Sequence, residues 1–485
     1  MRIKKAAVII MAAALAFWGV SCGSSSQSQT DEQTLADKIE TKLSAYQTDL
    51  ADSSAIRQSN ADVSSYVADW AKNKGISYDK VGKTIIMKVE SSKKYKKTPK
   101  TVIICPYDSA QFQNYESAIT SALYLAKNNE NTGKLYVIFT PMPGRDLSAV
   151  RQIPSKYLSG SDTRIFILNG GQKAQYAIST AQGSNYEFTQ KINRTKPQYK
   201  NTYKISYTGL PGGILNSDVS EQTNPLIVMT DLLTSLKNRG ISYEIASLHG
   251  GNIGNYYPDS ASMTITIDPD DVEAFTEYMD KQVENRTERN QEINDDDPPV
   301  FKYKAVKDRP SSVLTKRSAE RFVSYMYTTL NGTYSPDEET TDQSTSEDTV
   351  SVTCVTRIVV GSSTIRIYSA ASSTDKDILN DIDHGERTLA GLSGLTYRKT
   401  ASIPAWKGNS DEDFQTAVTD AYHSFNSKDA TLAESPSPSC AYYIQQKNKK
   451  ADMVSLTVTE STINETTGML VQFLIDSLPD DSGNN

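Results

Sequence analysis

The chain has 485 residues, of which 58 are acidic and 51 basic, for a formal net charge of −7. This length predicts at least two domains, each large enough for its own hydrophobic core. Hydrophobic residues make up 37% and charged residues 22% of the chain, as in ordinary soluble globular proteins. The acidic balance argues against nucleic acid as a partner, because such proteins need a basic surface.

The N-terminus predicts export and a lipid anchor. A basic start, Met1–Lys5, precedes an apolar run, Ala6–Val20, that is short for a membrane span and ends near Cys22. This arrangement resembles the lipobox of bacterial lipoproteins. We therefore expect residues 1–22 to be a signal peptide, Cys22 to carry lipid, and residues 23–34 to be a flexible tether. The mature protein would sit on the outer face of the bacterial cell membrane and touch it through the anchor only. An ordinary secretory signal with an incidental cysteine is the alternative.

Helical and strand patterns alternate in the first part of the chain. Apolar residues from Val63 to Ala71 recur at helical spacing and predict an amphipathic helix. A second helix is predicted at Ser117–Lys127. Short β-branched or aromatic runs predict four strands: Thr84–Val89, Thr101–Cys105, Leu135–Phe139 and Arg164–Leu168. This alternation favours a largely parallel sheet that is covered on both faces.

The pattern after about residue 200 indicates a separate α/β sandwich. Acidic breaks occur at Asp295–Pro299 and Ser335–Asp348, and the second is expected to be disordered. The predicted strands are Thr202–Tyr207, Met263–Ile267, Val350–Val359 and Thr364–Tyr368. The predicted helices are Leu226–Arg239 and Asp270–Lys281, and two terminal helices are predicted at Asp411–Phe425 and Gly468–Leu478.

Five segments occur in an order that is typical of one enzyme family. They are Tyr66–Lys88, Lys204–Gly213, His249–Phe275, Ile403–Phe425 and Asp452–Leu456. Together they resemble the M20 family of zinc metallopeptidases, and within it the aminoacyl-histidine dipeptidase branch. The resemblance extends over most of the chain from about residue 40 to 480.

The resemblance implies an α/β fold with two domains. A three-layer αβα catalytic-type domain would be interrupted by an inserted α/β sandwich lid domain. The expected boundaries are 35–200 and 403–480 for the catalytic-type domain, 201–402 for the lid with its acidic loop at 335–348, and 481–485 for a disordered tail.

The resemblance also implies a site for two zinc ions, with carboxylate and imidazole ligands and a glutamate as general base. The positions of that site are occupied by residues that supply neither an imidazole nor a carboxylate: Pro106, Pro143, Gly144, Asn169, Ile214 and Asn464. Two carboxylates remain, Asp108 at a position that orients a ligand and Glu116 at the bridging position. We therefore expect no catalytic residue and no metal cofactor, with Asp108 and Glu116 as remnants of the site.

Histidine and cysteine are scarce. The chain has three histidines, His249, His384 and His423, and no two have a spacing that suits a metal. Cys105 and Cys440 could lie close together, as a disulfide, as a thiol nucleophile, or as two buried apolar side chains. No histidine is placed in the sequence to activate either thiol.

Three functions remain open at this stage. The first is a catalytically inactive dipeptidase homologue that binds short peptides or a protein partner in its cleft. Candidate cleft residues are Tyr107, Asp108, Glu116, Asn255 and Cys440. The second is an active zinc-dependent aminoacyl-histidine dipeptidase with a noncanonical site. The third is a scaffold lipoprotein that forms homodimers through the lid domain.

Overall fold

We analysed the protein as a computed structural model. It describes residues 34–478 except 54–55, 57, 90–97, 128–132, 216–221, 255, 335–350 and 409. Several predictions lie outside the described residues: the signal peptide with Cys22, the tether up to residue 33, Asn255, the acidic loop 335–348 and the tail 481–485. None of the helices within the described residues is long and apolar enough to cross a membrane.

The helices of the described residues begin and end as follows, in chain order. They are α1 (Leu35–Asp52), α2 (Asn60–Asn73), α3 (Phe112–Lys127), α4 (Ser148–Gln152), α5 (Ser155–Leu158), α6 (Pro225–Asn238), α7 (Val272–Ile293), α8 (Lys316–Thr328), α9 (Lys376–Leu392), α10 (Glu412–Asn426), α11 (Ala441–Gln445) and α12 (Ile463–Asp476).

The strands form two large sheets and two small ones. They are β1 (Ser77–Val81), β2 (Thr84–Val89), β3 (Lys100–Tyr107), β4 (Leu135–Pro141), β5 (Thr163–Gly170), β6 (Gln175–Thr180), β7 (Gln182–Lys191), β8 (Arg194–Thr195), β9 (Asn201–Thr208), β10 (Gly213–Ile214), β11 (Tyr243–Gly251), β12 (Tyr256–Tyr257), β13 (Ala261–Ile267), β14 (Val300–Val306), β15 (Val313–Leu314), β16 (Gly332–Tyr334), β17 (Ser351–Val360), β18 (Thr364–Ser373), β19 (Thr396–Ile403), β20 (Leu432–Ser435) and β21 (Asp452–Val458).

The first domain is built on a sheet with the strand order β1-β2-β4-β3-β5-β21-β6-β20. The central strands β4, β3, β5 and β21 are parallel. Side chains alternate between the two faces of β3, so that Ile103 and Cys105 pack under α1, α2, α3, α10 and α12, whereas Val102 and Ile104 pack under α4, α5 and α11. This arrangement is the expected three-layer αβα domain.

The second domain is built on an antiparallel sheet with the order β14-β9-β13-β11-β17-β18-β7-β19. One face of this sheet packs against α6, α7, α8 and α9 in a single core. The mixed α/β fold with an inserted sandwich domain therefore agrees with the expectation from the sequence.

The second sheet begins earlier in the chain than residue 201, where the lid was expected to start. β7 starts at Gln182 and pairs along its full length with β18 and along most of its length with β19. Tyr186 and Phe188 of β7 are fully buried in the core of the second domain. The chain passes between the domains at Thr180 and Trp406, whose backbones exchange two hydrogen bonds of 2.9 and 3.1 Å.

Candidate functional site

The carboxyl ends of β3 and β4 meet at one edge of the first sheet. Because these strands are parallel and adjacent, the residues that follow them are neighbours in space. Asp108 comes directly after β3, and the loop 142–147 follows β4. The N–H of Met142 donates to the carbonyl oxygen of Tyr107 at 2.7 Å, which fixes the two loops against each other.

The carboxylate of Asp108 is buried and hydrogen-bonded. Its side chain and backbone are only 2% exposed. The N–H of Ala110 donates to Oδ1 at 3.0 Å, and the N–H of Gly144 and the hydroxyl of Tyr256 donate to Oδ2 at 2.9 and 2.7 Å. Two backbone amides and one phenol therefore compensate its charge, as a buried carboxylate requires.

Tyr256 reaches this site from the second domain. It lies on β12, is 1% exposed, and approaches the hydroxyl of Tyr115 at 3.4 Å. Burial, together with the nearby Tyr115 and Asp108, raises the pKa of Tyr256 well above its ordinary value. The phenol is therefore neutral at physiological pH and serves as a hydrogen-bond donor to Asp108.

The loop from Ile253 to Gly254 in the second domain packs directly on the loop after β4. A Cβ atom on Gly254, which has φ +121°, would lie 2.6 Å from the Cα of Gly144. Such a distance excludes any side chain, so glycine is required for this approach of two backbones. The two loops thus close the site where the first and second domains meet.

Arg145 follows Gly144 in a strained backbone conformation. Their φ angles are +68° and +53°, which is uncommon for a residue with a side chain. The Nδ2 group of Asn185 donates to the carbonyl oxygen of Gly144 at 3.0 Å and stabilises the turn. Arg145 itself is 2% exposed.

The guanidinium of Arg145 is only partly hydrogen-bonded. Its Nη1 donates at 3.3 Å to Oδ1 of Asn185 and to the carbonyl oxygen of Ala371. Within the described part of the chain, its Nε and Nη2 have no partner. Burial lowers the pKa of Arg145 to about 10, so the group still carries a positive charge at neutral pH.

A cavity of about 760 Å³ lies between the two domains beside these residues. Three arginines contribute to its lining, Arg145, Arg151 and Arg357, against two acids, Asp108 and Asp146. We call this cavity the arginine cleft. Its volume falls in the range of small-molecule sites in proteins.

Glu116 lines a different cavity from Asp108. It lies on α3, is partly exposed, and borders a space of about 830 Å³ together with Gln172 and Glu460. The two carboxylates that the resemblance would place in one metal site are thus not brought into one cavity. Asn169 is another position that the resemblance assigns to a metal ligand. Its Nδ2 donates to the hydroxyl oxygen of Ser455 at 2.8 Å.

The positions assigned to metal ligands do not fit a zinc site in this structure. Pro106, Pro143 and Gly144 have no side-chain atom that can bind zinc, and the carbonyl oxygen of Gly144 is engaged by Asn185. Asn464 is exposed in the first turn of α12. Ile214 lies on β10 and has an apolar side chain. No group of three or more histidine, cysteine, aspartate or glutamate side chains with metal-binding geometry is found among the described residues.

The histidines lie elsewhere in the molecule. His249 is exposed on β11 and pairs in register with Ser262 and Val359 of the second sheet. His384 is exposed on α9, and the Nδ1 of His423 contacts Oδ1 of Asp429 at 2.9 Å on the surface. None of them lines the arginine cleft.

Two predicted cleft residues are instead core residues. Tyr107 is fully buried under the helices of the first domain, and its hydroxyl donates to the carbonyl oxygens of Asn60 and Lys83 at 3.3 Å each. It points away from the cleft because side chains alternate along β3, which places Tyr107 on the opposite side of the chain from Asp108.

Cys440 is the other predicted cleft residue that lies in the core. Cys105 and Cys440 are both free and fully buried, in the cores on opposite faces of the first sheet. Burial raises the pKa of the Cys440 thiol to about 12 and that of Cys105 further. Both are therefore protonated at neutral pH, and neither has the properties of a nucleophile.

Sequence reasoning did not identify Tyr256, Asn185 or Arg145 as site residues. Arg145 follows Pro143-Gly144 directly, and a basic side chain beside two lost ligand positions was a signal that could have been used. Tyr256 and Asn185 gave no such signal, because each lies far in sequence from the residue it contacts.

Comparisons with known proteins support the fold. No protein-family model matches the chain, and no curated protein matches it. A crystal structure of aminoacylhistidine dipeptidase from Vibrio alginolyticus matches with a TM-score of 0.54 at 15% identity, covering 92% of this chain and 97% of that one. Dipeptidase Dug1p from Saccharomyces cerevisiae matches with a TM-score of 0.46 at 11% identity, covering 92% and 98%. Human carnosine dipeptidase 1 has a TM-score of 0.46 at 9% identity, covering 92% and 99%.

Of these three structures, the first alone has a TM-score above 0.5, and the fold assignment rests on it. The chain therefore has the fold of an aminoacylhistidine dipeptidase, with a three-layer domain and an inserted lid domain that enclose the arginine cleft between them.

Proposed function

We propose that the protein is a catalytically inactive relative of these dipeptidases that binds short peptides in the arginine cleft. The observation that carries the proposal is the state of Asp108. Both of its oxygens accept hydrogen bonds from Ala110, Gly144 and Tyr256 at 2.7–3.0 Å. A carboxylate held in this way is compensated by the protein itself.

The residues around Asp108 support a site without hydrolytic chemistry. Hydrolysis of a peptide bond at neutral pH requires an activated water, which a metal ion or a general base supplies. The positions that would supply the base are Pro143 and Gly144, and neither can accept a proton. What the cleft offers a peptide is charge and hydrogen-bonding groups from Arg151, Arg357 and Asn252.

The proposed location is the outer face of the bacterial cell membrane, through lipid on Cys22. Its support is the sequence of residues 1–22. Substitution Cys22→Ala is expected to move the protein from the membrane fraction to the soluble fraction, and retention of the variant in the membrane would contradict the anchor.

The experiment that tests the inactive state measures metal and activity on the same sample. The full chain is purified in detergent, incubated with excess zinc, dialysed and analysed for zinc content. It is then assayed for hydrolysis of alanyl-histidine and, by calorimetry, for binding of short peptides. We expect substoichiometric zinc, no hydrolysis, and measurable binding of peptide.

Matched variants identify the origin of any metal that is found. Asp108→Asn removes the buried carboxylate, and Asp146→Asn removes an exposed one on the rim of the same cleft. Stoichiometric zinc that is lost in Asp108→Asn but kept in Asp146→Asn, together with hydrolysis, would establish the alternative function of an active zinc dipeptidase. The fold shared with aminoacylhistidine dipeptidase favours that alternative.

A homodimer through the lid domain remains a proposal. Light scattering of the purified chain at micromolar concentration tests it, since a monomer would remove the scaffold function that depends on dimers.

A further inference from the structure

One face of the second sheet is not covered by the helices of its domain. In β9 and β13, Tyr203, Ile205 and Met263 pack in the core with α6–α9. Because side chains alternate along a strand, the neighbouring residues Lys204 and Thr264 point to the other side of the sheet. Lys204 is exposed and Thr264 is partly exposed, so this side is open to solvent. We call it the open face.

The strand register aligns residues of the open face in rows that run across the strands. Neighbours in the first row are directly paired on adjacent strands, from β14 through β9, β13, β11 and β17 to β18. This row consists of Lys302, Ser206, Ser262, His249, Val359 and Arg366. Since adjacent strands lie about 4.8 Å apart, the row is about 24 Å long. A second row beside it consists of Lys304, Lys204, Thr264 and Ser247.

Three lysines lie together at the β14 end of the two rows. Lys204, Lys302 and Lys304 are exposed, and none of them forms an ion pair with a carboxylate of the described residues. Lys204 is directly paired with Lys304, and like charges in such a position destabilise a pair of strands. An anion bound between these two lysines would offset the repulsion.

The β18 end of the first row is also positive. Nε of Arg366 lies 3.9 Å from Oε1 of Glu187, and Nη2 of Arg398 contacts Oε2 of the same carboxylate. One carboxylate therefore serves two guanidinium groups. Glu244, which also lies on the open face, accepts hydrogen bonds from two backbone amides and from the hydroxyl of Thr266. The open face is therefore positive, in a chain whose formal net charge is −7.

Hydroxyl groups occupy the rows between the two positive ends. Ser206, Ser262, Thr264 and Ser247 are all partly exposed there. A hydroxyl both donates and accepts hydrogen bonds, so these side chains suit the hydroxyls of a sugar. The pattern does not suit a nucleic acid. A duplex carries one charge for about every 1.7 Å of its axis, and single strands stack on tyrosine, phenylalanine or tryptophan, which neither row contains.

We propose that the open face binds a linear anionic polysaccharide that lies across the strands. Its acidic groups pair with the lysines at one end of the rows and with Arg366 at the other, and its hydroxyls contact the serine and threonine side chains between them. None of the residues of the two rows lines the arginine cleft, so this site is independent of peptide binding. Binding requires no metal and no covalent step.

The first test compares two polymers on the unaltered protein. Binding of polygalacturonate, which has one carboxylate on each sugar, to the full chain in detergent is measured by calorimetry at low and at high salt. Dextran, which is uncharged, is the control polymer. We expect polygalacturonate to bind, and to bind more weakly at high salt because exposed charges are screened, whereas dextran does not bind. No binding of polygalacturonate, or equal binding of both polymers, would overturn the site.

A second test assigns the binding to the open face. The double variant Lys204→Gln, Lys304→Gln removes two exposed charges, so we expect polygalacturonate to bind it at least about fivefold more weakly. The matched control is the double variant Lys237→Gln, Lys316→Gln. It makes the same change of charge at exposed positions of α6 and α8, on the side of the sheet that the helices cover. Unchanged affinity in the first variant, or equal weakening in both, would refute the assignment.

Arg366→Gln tests the opposite end of the row and does not depend on the folding of the lysine variant. It is expected to weaken binding of polygalacturonate by about twofold or more, and full affinity would contradict a ligand that spans both ends.

Competition decides between the classes of anionic partner. Oligothymidylate, and phosphatidylglycerol added to the detergent micelles, are each titrated against bound polygalacturonate. We expect both to displace it only at a higher concentration of charge than soluble polygalacturonate itself requires. Displacement at a lower concentration of charge would overturn the polysaccharide in favour of a nucleic acid or a lipid surface.

Discussion

The hydrogen bond between Tyr256 and Asp108 joins the lid domain to the first domain, and its removal gives a sharp prediction. Tyr256→Phe deletes one hydroxyl from a side chain that is 1% exposed and leaves the packing of the ring unchanged. The lost bond, 2.7 Å long, ends on a buried carboxylate. Hydrogen bonds to charged groups contribute about 1.5–3 kcal/mol, so we expect the free energy of unfolding to fall by that amount.

The adjacent tyrosine provides the matched control. Tyr257 is 4% exposed, and its hydroxyl donates at 2.7 Å to the carbonyl oxygen of Gln222, which is a neutral acceptor. Tyr257→Phe should therefore cost about 0.5–1.5 kcal/mol. Bond length, burial and substitution are nearly the same in the two variants, so a larger cost of Tyr256→Phe reflects the groups around its hydroxyl, Asp108 and Tyr115.

Urea unfolding of the full chain in detergent, followed by tryptophan fluorescence, measures both variants, and unchanged m values are required for the comparison. A double-mutant cycle of Tyr256→Phe with Asp108→Asn should give a coupling energy of about 1 kcal/mol or more. If Tyr256→Phe costs no more than Tyr257→Phe and the coupling is absent, then Tyr256 does not compensate the carboxylate. Asp108 would then not depend on the hydroxyl of Tyr256 for its compensation.

Two further predictions concern stability. Burial raises the pKa of Glu386 to about 8, so the folded state keeps a proton that the unfolded state loses near pH 4.3. Its contribution is complete below pH 4.3 and is lost as the pH rises towards 8, so the free energy of unfolding should fall by up to about 4 kcal/mol over that window. Glu386→Gln should flatten this dependence in urea titrations at several pH values, and an unchanged slope would contradict the assignment. Gly254→Ala, which places a Cβ 2.6 Å from the Cα of Gly144, should cost more than about 2 kcal/mol. Gly240→Ala, at φ +77° with no atom within 4 Å, should cost only about 1 kcal/mol, and equal costs would show that the loops do not press on each other.

The order of the elements could be predicted from the sequence because their signals are local. The strand predicted at Thr101–Cys105 lies inside β3, and the helix predicted at Leu226–Arg239 coincides with α6 within a residue at each end. The helix predicted to end at Lys281 continues to Ile293. Its extension is densely charged and carries little periodic signal, but Asn290 is buried and accepts a 2.6 Å hydrogen bond from the hydroxyl of Tyr207.

The early start of the second sheet could not be predicted, because the first strand of that sheet, β7, has little local signal. β7 contains only two strongly apolar residues, Tyr186 and Phe188, among polar ones. Its strand conformation depends on pairing with β18 and β19, which follow much later in the chain. Pairing over such a separation leaves no local pattern, so the boundary at residue 201 followed the next clear strand instead.

The contacts around Asp108 could not be predicted either, because they join residues that are distant in the sequence. The sequence shows Pro106, Pro143 and Gly144 at positions that the resemblance assigns to the metal site, but it does not show which groups compensate Asp108. A tyrosine on β12 and a backbone amide of the loop after β4 come from distant segments, and sequence spacing does not relate them. Tyr107, a predicted cleft residue, directly precedes Asp108 in the sequence, but adjacent residues of a strand point to opposite faces.

One physical rule governs the surroundings of Asp108. A carboxylate at the edge of a buried sheet must be compensated, either by a cation or by hydrogen-bond donors. In this chain the donors come from both domains, so the interaction that holds Asp108 also holds the lid against the first domain. The same turn that delivers the Gly144 amide to Asp108 buries the side chain of Arg145, whose Nε and Nη2 have no partner among the described residues. Compensation of Asp108 by these hydrogen bonds therefore depends on contact between the two domains, and Tyr256→Phe tests that contact directly.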